Sequence, residues 1–111
     1  MEFIERGGVL RVLFDTRLDS LVCNIIEQDL AQRISDAKLC NPNVVVEFDL
    51  TQAEFVCSTF LRFCVIYAKQ MGKGNFHIAN LSPNVLHVFE ISGLLGVIDL
   101  VTPGGQVDMK A

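Results

Sequence analysis

The amino-acid sequence predicts an α/β domain on three observations. Short β-prone runs alternate with segments of helical period, capping and turn residues fall between them, and no linker, repeat or low-complexity block divides the 111 residues. The expected order is ββαβαβαβ: a central mixed sheet of about four to five strands with helices packed against it, in one domain over residues 1–111. Phe3-Ile4-Glu5-Arg6, the Gly7-Gly8 turn and Val9 to Phe14 read as a hairpin, because glycine supplies positive φ between two β-prone runs. Asp19 or Ser20 can cap a first helix in which Val22, Ile26, Leu30, Ile34 and Ala37 recur every three to four positions. Asn41-Pro42-Asn43 breaks the chain before Val44 to Phe48, a β-branched run expected to form a central strand covered on both faces.

From about Ser58 to Met71 the period is helical again, closed by Gly72-Lys73-Gly74, and Phe76 to Ala79 is the next strand. Ser82-Pro83 is a helix start, since serine caps free amides and proline at the first helical position has no amide to leave unpaired. Val85, Val88, Phe89 and Ser92 share a face of that helix, and Gly93 closes it. Val97 to Val101 reads as a last edge strand, and Pro103-Gly104-Gly105 leads into a polar tail, about 103–111, expected to be mobile.

Composition excludes several function classes. A formal charge of −4 and a pI near 5.0, with nine Lys and Arg scattered along the chain, argue against nucleic-acid binding, which needs clustered cations. The acidic N-terminus lacks the flank and apolar region of a signal peptide, so a cytoplasmic location is expected. The apolar stretch from Phe55 to Ala68 is shorter than the roughly 20 residues of a membrane span and is interrupted by Arg62. Cys23, Cys40, Cys57 and Cys64 form no C-x-x-C pair and have no zinc spacing with His77 or His87, so neither metal nor cofactor is expected and the thiols read as reduced and mostly buried.

Chemistry concentrates at "EFVCSTFLRF", Glu54 to Phe63, where Ser58 and Thr59 stand between a strand and a helix. A helix N-terminus presents unpaired amides and partial positive charge, which suits an added phosphate; on composition alone a serine there is better accounted for as a plain cap. Phe60, Leu61, Phe63, Cys64, Val65, Ile66 and Tyr67 give the helix more apolar surface than one sheet-facing side requires, leaving some for another element or a partner. Arg62, Lys69 and Lys73 fall roughly on one side, as a solvated stripe or as a docking surface for an acidic partner. Ser58 with His77 or His87, or Cys57 with a lowered pKa, would be the residues of a small hydrolase, but no paired base is identifiable.

Val46-Glu47-Phe48-Asp49-Leu50-Thr51, then Phe55-Val56-Cys57-Ser58-Thr59-Phe60-Leu61, resembles the STAS domain of bacterial anti-sigma factor antagonists. Leu18-Asp19 before the first helix, Asn80-Leu81-Ser82-Pro83-Asn84-Val85, Val88-Phe89-Glu90 and Ser92-Gly93-Leu94 extend the resemblance, in order, over nearly the whole chain. The resemblance implies a regulatory binding module and not an enzyme. In that family the turn reads Asp-Ser-Ser-Gly, and a partner that is both anti-sigma factor and serine protein kinase phosphorylates the first serine, which falls on Ser58, with Thr59 as the second hydroxyl. The unphosphorylated domain binds the anti-sigma factor and releases the sigma factor; phosphorylation ends the binding.

The implied partner-binding residues are Asp19, Cys57, Ser58, Thr59, Phe60 and Arg62, with Asp19 close to Ser58 across the helix ends. Cys57 stands where the family has aspartate, removing a carboxylate beside the acceptor. Phe60 stands where it has glycine, adding a ring where a kinase backbone would approach. Similar domains also serve, unphosphorylated, as scaffolds of stress-signalling assemblies with other STAS subunits or as accessories of lipid-transport ATPases, and this is the alternative reading.

Overall fold

In the computed structural model the described residues are 1–94, 96, 98–102, 105 and 106. Strands β1 (Glu2–Arg6) and β2 (Val9–Leu13) pair antiparallel. Gly7 and Gly8 between them have φ of 60° and 80°, the left-handed pair that matches hairpin twist and that side chains resist. The chain continues through β3 (Arg17–Leu18), α1 (Ser20–Cys40), β4 (Val45–Asp49), β5 (Phe55–Val56), α2 (Ser58–Met71), β6 (Phe76–Ala79), α3 (Pro83–Ile91), β7 (Asp99–Thr102) and β8 (Gly105–Gln106).

The main sheet has the order β1-β2-β4-β6-β7-β8. Its inner neighbours run parallel and its two end pairs antiparallel, so it is mixed, as expected. Parallel neighbours need a long crossover, and α1, α2 and α3 supply the three. Two features extend the expected order. β3 and β5 form a separate two-residue parallel ladder, too short to leave a periodic signal. Gly105–Gln106, inside the stretch expected to be a tail, pairs with β7, so β7 is not the sheet's edge. Val97, residues 103–104 and residues 107–111, on which the rest of the last-strand and tail expectations fall, lie outside the described residues.

One face of the sheet carries the core. Alternate residues Leu10, Val12, Val46, Phe48, Phe76 and Ile78 are buried, as period-two geometry requires for one covered face. They join Cys23, Ile26, Leu30, Ile34 and Ala37 of α1 and Phe60, Phe63, Cys64, Tyr67 and Met71 of α2 in one cluster. Phe48 is its hub, with Phe14, Phe76 and Tyr67 edge-on at centroid distances of 4.9, 4.8 and 6.0 Å.

The expectation that β4 is covered on both faces is corrected. Its other face carries Glu47, in register with Arg11 of β2 and His77 of β6. Glu47 Oε2 takes Arg11 Nε at 2.8 Å and Oε1 lies 2.7 Å from His77 Nε2. This outer face is therefore open and polar, with Glu47 shielded by its partners instead of by a helix.

Asp19 is the cap of α1: its Oδ1 accepts from the Val22 amide at 3.0 Å. The buried stripe starts one residue later than expected, at Cys23, with Val22 only half-buried. Ser82 Oγ accepts from the Val85 amide at 3.3 Å with Pro83 at the first helical position, as the sequence predicts.

Candidate functional site

The small β3–β5 ladder builds the site. Arg17 pairs with Phe55 and Leu18 with Val56, and the Cys57 amide donates to the Leu18 carbonyl at 3.1 Å. The next residue on each strand is a helix cap, Asp19 for α1 and Cys57 for α2, both with extended backbone. Two parallel strands in register thus deliver two helix N-termini side by side, and the positive ends of both dipoles meet there. Arg17 secures this end: its guanidinium lies 4.7 Å from the centroid of the Phe55 ring, and its Nε lies 3.3 Å from Asp19 Oδ2.

The cap of α2 is Cys57, not Ser58, which corrects the reading of the serine as the cap. Ser58 is the first helical residue and is exposed; Thr59 behind it is half-buried. A hydroxyl at this position does not face back on its own helix amides as a cap does, so it is left for solvent or a partner. Arg62, one turn on, is also exposed and shares that face. Lys73 does not: α2 ends at Met71 and Gly72 turns the chain with φ 88°, so Lys69 alone continues the stripe.

Phe60 is the second correction. It is 0% exposed, with its ring 5.0 Å from Phe14 and 6.0 Å from Phe48. The ring points into the core and cannot stand in a partner's path. Asp19, Cys57, Ser58, Thr59 and Arg62 are gathered at one end of the molecule, and Phe60 supports them from beneath.

Sequence reading missed Ser20 and Cys23. Cys57 Sγ lies 3.9 Å from Cys23 Sγ and 4.0 Å from Ser20 Oγ. Burial pushes the Cys57 thiol up, but the amides of Phe60 and Thr59, with the Cys23 thiol and the Ser20 hydroxyl, favour the thiolate and hold it below the usual thiol value. Those amides act on the charge as dipoles, because Sγ makes no capping hydrogen bond of ordinary geometry among the described residues. Cys23 goes the other way: burial first, then the charge and hydrogen bond of Cys57 and the charges of Asp19 and Glu27, push it up to about 12. The signal was available, since Cys23 falls within the apolar stripe of α1 one turn after its cap, but pairing it with Cys57 needs the β3–β5 ladder.

The histidines of the hydrolase reading are placed elsewhere. His77 lies on the open sheet face against Glu47, and His87 is exposed on α3, 3.4 Å from Glu90. Cys23 and Cys64 are buried and Cys57 is half-buried, whereas Cys40 is exposed. No cluster of three metal-ligating side chains occurs among the described residues. Nor, among them, is any helix long and apolar enough to cross a membrane.

No family model matches the chain, and no curated protein matches it in sequence. Solved structures do match. An anti-sigma factor antagonist from Mycobacterium paratuberculosis superimposes with a TM-score of 0.76 at 20% identity, over 92% of this chain and 83% of that one. The anti-sigma factor antagonist SpoIIAA in its unphosphorylated form superimposes with a TM-score of 0.71 at 19% identity, over 93% and 89%. The chain has the STAS fold.

Proposed function

We propose that this chain is a regulatory binding module of the anti-sigma factor antagonist type. It docks an anti-sigma factor with serine kinase activity through the Ser58 turn and the outer face of α2, and phosphorylation of Ser58 switches docking off. The observation that carries the reading is the exposed Ser58 hydroxyl at the first position of α2, beside the N-terminus of α1, at the position to which the family resemblance assigns the phosphoacceptor. A phosphate here gains from two helix ends and their free amides. It also adds roughly −1.5 to −2 charges to a surface that a partner must desolvate. Arg62, one turn along, gives the same face a cation for an acidic or phosphate-bearing partner.

Neither histidine of the hydrolase reading is placed to serve Ser58 as a base, since His77 is held by Glu47 on the open sheet face and His87 lies against Glu90 on α3. Incubation with such a kinase and ATP should place phosphate on Ser58, and calorimetry should show a complex that Ser58→Asp weakens at least about tenfold, the equivalent of 1.4 kcal/mol. Absence of both complex and phosphate sinks the reading. A complex that Ser58→Asp leaves unchanged removes the switch and favours the unphosphorylated scaffold, in which Cys57 in place of the family aspartate marks a surface that docks without being modified.

A further inference from the structure

We propose that Cys57 and Cys23 are a redox-responsive thiol pair: hydrogen peroxide oxidises Cys57, and Cys23 then closes a reversible disulfide joining the N-termini of α1 and α2. Their sulfurs are already in contact at 3.9 Å, although 34 residues separate them in the chain. Closing to the bonded distance of about 2 Å requires the two sulfurs to turn toward each other, and Cys57, at a cap with extended backbone, is outside the helical turn. Cys57 is half-buried and open to a small oxidant, and Cys23 behind it is buried, the arrangement of an attacking thiol with a resolving one.

In the first step the Cys57 thiolate attacks one oxygen of peroxide, the O–O bond breaks, and the departing hydroxide takes up the proton released by Cys57 to become water. Cys57 is then a sulfenic acid. In the second step Cys23 Sγ attacks Cys57 Sγ, the S–OH bond breaks, and hydroxide leaves with the Cys23 proton as a second water. Peroxide is reduced and the two thiols are oxidised to one disulfide.

The amides of Phe60 and Thr59 favour the thiolate that begins the sequence. Burial is the main cause that keeps Cys23 protonated, and the smaller contribution of the Cys57 charge disappears once Cys57 is a neutral sulfenic acid. Cys40 does not compete for the bridge, since it lies at the far end of α1 from Cys23, about 25 Å away at 1.5 Å per residue. Cys64 is buried within reach of the Cys23 charge, and the identity of the linked peptides tells which thiol bridges Cys57.

The test uses the full chain carrying Cys40→Ser, which removes intermolecular bridging through the exposed thiol. After brief peroxide treatment the intact mass should fall by two hydrogens, a digest should contain the Cys23 and Cys57 peptides linked, and dithiothreitol should reverse both. With Cys23→Ser added, Cys57 should instead accumulate a sulfenic acid trapped by dimedone; with Cys57→Ser added, Cys23 should stay reduced. The proposal is overturned if Cys57 proceeds to sulfinic acid while Cys23 remains alkylatable, or if both thiols remain alkylatable after the treatment. All these readouts are independent of whether a protein partner docks at Ser58.

Discussion

Phe60→Ala is the most direct test of where the site ends and the core begins. Phe60 is fully buried and packs edge-on against Phe14 at 5.0 Å and obliquely against Phe48 at 6.0 Å. Truncating a buried phenylalanine removes its transfer free energy and leaves a cavity, together about 3–5 kcal/mol. A domain of this size has about 5–15 kcal/mol in total, so the variant should fold but sit near the edge of stability. With a urea slope of about 2 kcal/mol per molar, a loss of about 4 kcal/mol lowers the unfolding midpoint by about 2 M. Phe60→Gly should cost up to about 1 kcal/mol more through backbone freedom in the first turn of α2. Arg62→Ala, on the same helix but exposed, should stay within about 0.5 kcal/mol of wild type. Circular dichroism across a urea series reads all three. A Phe60→Ala loss below about 1 kcal/mol would refute the packing argument, because a ring in that core cannot be removed so cheaply. A second arm uses Phe60→Leu, which keeps the core apolar: partner affinity should be unchanged if the ring lies beneath the docking surface, and a weakened complex in a well-folded protein would return Phe60 to that surface.

Two further predictions concern carboxylates. Asp19→Ala removes the acceptor of the Val22 amide and should cost about 1 kcal/mol, within a range of 0.5–2, whereas Asp19→Asn keeps an acceptor and should restore most of it; equal losses in thermal melts would show that charge, not capping, is what matters there. Asp49 is 4% exposed, and burial pushes its carboxyl up, but the Thr51 hydroxyl and amide, the Asn80 side chain and Arg11 outweigh it and hold it below the ordinary 3.8. A depressed native pKa contributes stability above the unfolded value that is lost as pH falls through it, so the urea midpoint should drop between about pH 5 and about pH 2, and less steeply in Asp49→Asn. An identical acid profile in the two proteins would remove Asp49 from that account.

Much of the architecture was legible because its signals are local. Gly7-Gly8, the Asp19 cap, the Ser82-Pro83 start and the Gly72 stop each state a backbone requirement in one or two residues, and each is met. The illegible parts are the non-local ones. Val44 to Phe48 reads as continuously apolar apart from Glu47, and nothing in the run says that Arg11 and His77, on two other strands, will partner that carboxylate on an open face. The β3–β5 ladder is two residues long on each side, below any periodicity, yet it sets the site. In the site itself the hydroxyls were found from the chain, whereas the second thiol was hidden 34 residues away inside an apolar stripe.

The two departures from the Asp-Ser-Ser-Gly turn of the antagonists this sequence resembles are alike as letters and opposite in physical effect. The ring at Phe60 turns inward and is absorbed by Phe14 and Phe48, so the outer surface of the turn keeps the shape of backbone, Ser58 and Thr59. Cys57 stays at the surface and changes its chemistry: a permanent anion and strong cap gives way to a thiol with weak capping power, held between the amides of α2 and the Cys23 sulfur. A charge at this cap then becomes conditional, present as thiolate and absent once the sulfur is oxidised. If Ser58 is the phosphoacceptor proposed above and Cys57 bridges to Cys23, comparing partner binding by the reduced and bridged proteins asks whether the two proposed switches share one surface.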